Sequence, residues 1–312
     1  MKIKKAICVA LCFLTLAASA AAVSIESVSV SASVNSPPIA ENVSISTYRN
    51  VSVSGNMRAV DPEGDLISYQ LRSNPEQGEL KVNDDGSFIY TPLAGKKGRD
   101  SFCYAACDSS GNFSEPATVT IIIEKQKTKT TYADMEGRGE YYSALRLAEA
   151  GIFTGEKLGN GYCFSPDTEV TRGEFLAMCS ALTDTVPLSD VTRTGFFDDA
   201  DIDPWLKPYI SAALMKGAVR GYPDSSGKIV FSPGGVITMA EAAVMLNNFL
   251  EISDVKDAFL NADVPAWASQ AVSNLSSCDI YSGAPASRVL TRADAAVMLN
   301  GAITVLEQRG KK

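Results

Sequence analysis

The sequence predicts a multidomain protein: an all-β sandwich over residues 37–124, then an all-α part built of helix-loop-helix repeats from residue 132 onward. Three observations predict this. Short β-rich runs broken by turn signals crowd residues 37–124, apolar spacing of helical period begins at Tyr132, and one helical pattern then recurs three times. Apolar residues make up 46% and charged residues 21% of the 312, the composition of a chain that buries a core. There are 28 Lys and Arg against 36 Asp and Glu, a formal charge of −8. So acidic a chain has no electrostatic footprint for nucleic acid or an anionic membrane. It contains no histidine, which excludes Ser-His-Asp and Cys-His catalysis, His-ligated zinc and an imidazole base.

The first element is a secretory signal peptide over residues 1–22. Lys2, Lys4 and Lys5 precede an apolar run from Ala6 to Ala18, and Ala18-Ser19-Ala20 and Ala20-Ala21-Ala22 offer cleavage sites. That run falls short of the roughly 20 residues a spanning helix needs, so no membrane insertion is expected after cleavage. Leu11 before Cys12 argues against a lipoprotein site. Residues 23–36, rich in Ser, Val and Ala, read as an extended leader. The cysteines beyond the signal (Cys103, Cys107, Cys163, Cys179 and Cys278) are an odd, scattered set, which reads as free thiols. In a strand, Cys103 and Cys107 stand about 13 Å apart, too far to bridge.

Within residues 37–124, strands are expected at Val51–Ser54, Leu66–Leu71, Ser87–Tyr90, Phe102–Ala106 and Thr118–Ile123. Asp61-Pro62-Glu63-Gly64-Asp65, Asn74-Pro75 and Asp84-Asp85-Gly86 supply the turns. Strands this closely spaced suggest a β-sandwich. Asp61, Glu63, Asp65, Asp100 and Asp108 either gather at one end to bind Ca²⁺ through carboxylate oxygens or simply shape the turns. Residues 125–131 are polar and read as a linker.

The repeats occupy residues 132–190, 191–254 and 255–312. Each opens on an aromatic and an acid: Tyr132 and Asp134, Phe197 and Asp198, Phe259 and Asp263. A helix follows, ending at Gly151, Gly217 and Asp279, residues that accept the left-handed conformation at a helix terminus. Gly155, Gly221 and Gly283 come four residues later. Phe164-Ser165-Pro166 and Phe231-Ser232-Pro233 then mark the loop, which is shorter in the third copy. The second helix opens at Thr171, Thr238 and Thr291, each with an acid three residues on, matching or nearly matching a capping box. Apolar residues follow the Thr at +4, +7, +8 and +11, one buried stripe that includes Cys179.

This ordered set resembles the S-layer homology repeats of bacterial cell-surface proteins over residues 132–308. The resemblance implies a pseudo-threefold bundle with grooves between neighbouring repeats. It also implies non-covalent attachment to peptidoglycan-linked secondary cell-wall polysaccharide, with pyruvylated amino sugars as the recognised groups. The site residues it implies are Arg172 and Arg292 at the first position of the second helix, Trp205 and Trp267 near the start of the first, and Asp134, Asp198 and Asp263. An arginine fork beside free helix-terminal amides suits a carboxylate, and an indole face suits a sugar ring. The same residues also have ordinary structural readings: solvated arginines, packed tryptophans and helix-capping acids. Gly139 stands where the other copies have Trp, and Met239 where they have Arg. If a groove joins the Arg of one repeat to the Trp of the next, only Arg172 with Trp205 is complete. Residues 35–124 resemble the cadherin-like or Ig-like modules of bacterial surface proteins, through Asn35-Ser36-Pro37-Pro38, Asp61-Pro62-Glu63-Gly64-Asp65, Gly86-Ser87-Phe88-Ile89-Tyr90 and Asp108-Ser109-Ser110-Gly111.

The expectation is therefore a secreted, wall-attached surface protein that displays the sandwich as a spacer or adhesion module, with Ca²⁺ at the sandwich acids as the one cofactor considered. It is not expected to be an enzyme. The alternatives are an accessory subunit of an S-layer lattice and a wall-anchored glycan-acting enzyme. The sequence names no partner for the sandwich.

Overall fold

The structure, a computed structural model, describes residues 35–159, 161–253, 263–281 and 283–310. The expected signal peptide, the leader up to residue 34 and Phe259 lie outside the described residues.

The β-rich part has nine strands: β1 (Ile39–Ala40), β2 (Val43–Tyr48), β3 (Val53–Asn56), β4 (Ala59–Val60), β5 (Ser68–Leu71), β6 (Gly78–Val82), β7 (Ser87–Pro92), β8 (Gly98–Cys107) and β9 (Ala117–Glu124). A four-stranded sheet in the order β2-β9-β8-β5 packs on a three-stranded sheet in the order β3-β7-β6, and β1 pairs with β4. Alternation decides which side chains face inward. Along β9, Ala117, Val119, Ile121 and Ile123 are buried, and they meet Phe102 and Tyr104 of β8 and Phe88 and Tyr90 of β7. The Phe88 and Phe102 rings sit edge to face, 5.1 Å apart. The expected Asp84-Asp85-Gly86 turn joins β6 to β7, with Gly86 at φ +84°.

Four strands were not anticipated: the two-residue β1 and β4, and the longer β2 and β6. β2 is half Ser and Thr, and β6 carries Glu79 and Lys81, so neither has a strong strand composition. Both form because a neighbour offers its free edge: β2 runs parallel to β9 from Val43↔Val119 to Tyr48↔Glu124, and β6 closes the hairpin with β7.

The helical part contains α1 (Tyr141–Glu149), α2 (Arg172–Leu182), α3 (Lys207–Met215), α4 (Met239–Leu250), α5 (Ser269–Ser277) and α6 (Arg292–Gln308). Thr171, Thr238 and Thr291 each accept the N–H of the acid three residues on, and each acid accepts the threonine's own N–H. The shorter Asp294 closes its box as Glu174 and Glu241 do. The apolar stripe is buried in all three copies, from Phe175 and Leu182 to Met298 and Ala302. The preceding helices end at Gly151, Gly217 and Asp279, all at positive φ.

Three cyclic sets of backbone hydrogen bonds knit the repeats. Val170 N–H donates to Leu290 O (2.9 Å), Leu290 to Ile237 O (2.8 Å) and Ile237 to Val170 O (3.0 Å). The first amides of α2, α4 and α6 donate to Gly235 O, Arg288 O and Thr168 O, and the second amides to Pro233 O, Ala286 O and Pro166 O. Each helix start is thus held by a loop of the next repeat, cyclically. Arg146 of α1 closes the circuit on α6 through Glu307 (2.8 Å) and Asn300 (3.4 Å).

The sandwich shares a core with the helices. Tyr48 and Val51, 1% and 5% exposed, belong to the helical cluster. The Tyr48 ring lies 4.9 Å from that of Tyr142, and its hydroxyl donates to Glu149. Residues 125–131, expected as a linker, lie beside the same helix: Lys127 N–H donates to Glu149 (2.9 Å).

Candidate functional site

A cleft of about 520 Å³ opens between repeats and is lined by Arg172, Arg220, Tyr222, Glu241, Asn248 and Trp267. Arg172 is fixed as the first residue of α2, so its backbone points the side chain across to the second repeat. Its Nη2 donates to Arg220 O (2.9 Å), and its Cζ lies 5.2 Å from the Phe231 ring centre and 5.7 Å from that of Tyr222. Its Nε is enclosed and has no hydrogen-bond partner. Burial pulls the guanidinium below its ordinary pKa, with Glu241 and Tyr222 acting the other way. Trp267 stands at the rim, 61% exposed. A half-buried cation, two aromatic faces and an exposed indole suit an anionic group carried on a sugar ring.

Arg292 repeats part of this geometry. Its Cζ lies 5.2 Å from the Phe153 ring centre and its Nη1 donates to Phe164 O (3.4 Å). Trp205 is 56% exposed and packs edge-on to Tyr209.

The structure corrects several expectations. Arg172 shares its cleft with Trp267 of the third repeat, and Trp205 of the second does not line it. The helix-start amides beside the arginines are not free; neighbouring loops take the first two of each helix. Asp134 and Asp198 neither cap a first helix nor line the Arg172 cleft. Asp134 accepts the N–H groups of Phe164 (3.0 Å) and Ser165 (2.6 Å), and Asp198 those of Phe231 (2.9 Å) and Ser232 (2.7 Å). They hold the Phe-Ser-Pro turn, whose Ser165 and Ser232 sit at positive φ. Burial raises the Asp134 carboxyl, and those amides with the Cys163 thiol outweigh it, leaving its pKa below the ordinary value. Asp263 lines a separate pocket of about 210 Å³ with Tyr281 and Pro285.

Of the five acids expected at one end of the sandwich, three meet. Carboxylate oxygens of Asp61, Asp65 and Asp108 lie within 4.8 Å of one another. Asp61 Oδ1 accepts the Glu63 and Asp65 amides (3.0 Å each), while its buried Oδ2 has no partner. Glu63 turns away to bind Ser36, 2.9 Å between Oε1 and the hydroxyl. Asp100 is built into the sandwich: it accepts the N–H groups of Glu76, Gln77 and Ser101 and the Tyr90 hydroxyl.

Sequence reasoning missed Arg220, Tyr222, Phe231 and Phe153. Arg220 and Tyr222 flank Gly221, the second glycine of their repeat, and read only as loop, as did Phe231 in Phe231-Ser232-Pro233.

Residues 35–125 match the model of the bacterial cadherin-like domain, and residues 131–176 and 196–243 that of the S-layer homology domain. The chain is similar to the Surface-layer 125 kDa protein of Lysinibacillus sphaericus (28% identical, 47% of this chain, 13% of that one). It is also similar to the Cellulosome-anchoring protein of Acetivibrio thermocellus (30%, 37% of this chain, 26% of that one) and to Exoglucanase XynX from that species (27%, 42% and 12%). The aligned stretches thus span between 12% and 26% of those relatives. The chain carries a bacterial cadherin-like domain followed by S-layer homology domains.

Proposed function

We propose that this chain anchors itself to the cell wall at the cell surface through clefts between its helix-loop-helix repeats, and displays the cadherin-like module there as a spacer or adhesion unit. The ligand class is an acidic glycan, pyruvylated secondary cell-wall polysaccharide in the first instance. The observation that carries the reading is Arg172: a half-buried guanidinium with an unpartnered Nε, set on aromatic rings in a cleft that ends at an exposed tryptophan. The cyclic hydrogen bonds support a pseudo-threefold bundle, in which Trp205 stands to Arg292 as Trp267 stands to Arg172. No helix among the described residues is long and apolar enough to cross a membrane. We read the chain as an anchor rather than an enzyme; XynX aligns over only 12% of its own length. For the sandwich we propose Ca²⁺ at Asp61, Asp65 and Asp108, where the orphaned Asp61 oxygen and three converging carboxylates suit a hard cation.

Co-sedimentation of the full chain with purified walls tests the anchor, before and after the polysaccharide or its pyruvyl groups are stripped. Binding is expected to depend on the acidic groups. Removing one charge-assisted contact costs about 1.5–3 kcal/mol, so Arg172→Ala is expected to weaken binding by roughly 10- to 150-fold. Met239→Leu is expected to leave binding unchanged. Equal losses from the two substitutions, or equal binding to stripped walls, would overturn the reading.

A further inference from the structure

A second inter-repeat cleft, of about 550 Å³, has the same framework as the Arg172 cleft and a different occupant. Met239 takes the place of Arg172, Asp279 of Gly217, Asp294 of Glu241 and Met298 of Met245. The position of Trp267 falls to Gly139, beside Glu140. Where the indole would stand lies the cadherin-like module, whose Ser54, Asn56 and Arg58 form the opposite wall.

The contact is specific at three points. Ser54 N–H donates to Gly139 O (2.9 Å), and Tyr142 N–H donates to Ser52 O (3.3 Å). Arg58 bridges Asp279 at 2.7 Å, and Asp279 exists only in this copy, the others having glycine. A Cβ added at Gly139 would approach the Ser54 Cβ to 2.8 Å, closer than such atoms come, so the tryptophan of the other copies is incompatible with the docked module. The electrostatics differ too. The Arg172 cleft is lined by two guanidinium groups and one carboxylate, this one by three carboxylates and Arg58. Arg288, the nearby cation, is already bound to Asp294 at 2.7 Å.

We propose that this Met239 cleft is the receptor for the chain's own cadherin-like module, and that the docked module excludes acidic glycan from it. Gly139, Met239 and Asp279 are then parts of one adaptation: a small residue for close approach, no competing cation, and a carboxylate for Arg58. The module is held at a fixed orientation on the anchor, and two clefts are left for the wall. The count of glycan clefts rests on the anchoring function proposed above; the docking does not.

The full-length chain tests this with two independent readouts. Amide hydrogen exchange at Ser54 and Tyr142, with small-angle scattering, reports docking. Titration with soluble fragments of pyruvylated wall polysaccharide reports the number of open clefts. Gly139→Trp combined with Met239→Arg is expected to expel the module, with loss of protection at both amides, a larger radius of gyration and one additional fragment bound per chain. Arg58→Glu avoids packing changes and is expected to accelerate exchange at the same amides, with rescue by Asp279→Arg. Unchanged exchange and scattering in both variants would overturn the docking. Glycan titrating three clefts in the parent chain while both amides stay protected would overturn the exclusion. Failure of every variant to bind fragments, with the exchange changes intact, would sink the glycan reading and leave the docking standing.

Discussion

The sandwich and the repeat bundle hold themselves together in opposite ways. In the sandwich, the pairs that matter lie far apart in sequence: β2 pairs in parallel with β9 across more than 70 residues, and Asp100 on β8 gathers the amides of Glu76 and Gln77. In the bundle, each copy repeats one local grammar of capping box, apolar stripe and left-handed stop, and the copies are joined by short backbone bonds at the helix starts. The difference shows where each part is fragile. A sandwich concentrates its polar satisfaction in a few buried groups, whereas a repeat array spreads it over equivalent ones.

The largest expected effect is at Asp100. Asp100→Ala leaves three amides and the Tyr90 hydroxyl without their acceptor and is expected to cost about 3–5 kcal/mol, since each stranded buried donor costs roughly 1–3 kcal/mol. Urea unfolding of the full chain measures it; a loss below about 1 kcal/mol would mean that water replaces the carboxylate. The same group has a pH signature. Burial raises the Asp100 carboxyl, but its four donors outweigh this and hold its pKa below the ordinary carboxylate value. A depressed folded pKa contributes stability above the unfolded value, near 4, that is lost as pH falls through the folded one. Asp199 in the bundle, held at about 2 by Lys207 and Thr194, has the same sign. Both parts are therefore expected to soften on acidification below about pH 4, and Asp100→Asn is expected to flatten the profile of the sandwich alone.

Next in size is the cation. If Ca²⁺ fills the Asp61, Asp65 and Asp108 cluster, a concentration a hundredfold above its dissociation constant stabilises the fold by about 2.7 kcal/mol. Chelation is expected to lower the Tm accordingly, and Asp61→Asn to abolish the difference. A Tm indifferent to chelator assigns these acids to their turns alone. The smallest effects belong to the bundle. Thr171→Ala, Thr238→Ala and Thr291→Ala are each expected to cost about 1 kcal/mol by denaturant titration, because each removes one cap of the same kind. Widely unequal losses would break the equivalence of the three copies.

The same contrast governs what could be read in advance. Capping boxes, stripe residues and helix stops are set within a turn or two of chain, and Thr171-Arg172-Gly173-Glu174 is enough to announce α2. Phe-Ser-Pro was legible as part of the loop between the two helices of a repeat. That Asp134 and Asp198 hold it was not, because their partners lie some 30 residues downstream. β2 and β6 were missed for a related reason: a polar strand is specified by the edge it completes rather than by its own composition. At the site, Arg172 and Trp267 were both named as binding residues, yet the pairing was wrong, since cyclic packing brings together side chains from the first and third repeats.

The sequence alone determined the two-part organisation, the three capped helices, the buried stripe and the residue types proposed for binding charge and sugar. Each of these follows from interactions a few residues apart, where backbone geometry leaves little choice. Only the tertiary structure decided that Arg172 looks onto Trp267, that neighbouring loops take the first helix-start amides, and that the module sits in the cleft beside Met239. Those outcomes depend on how three similar surfaces close on one another, a balance of many small contacts between distant segments that no local pattern encodes.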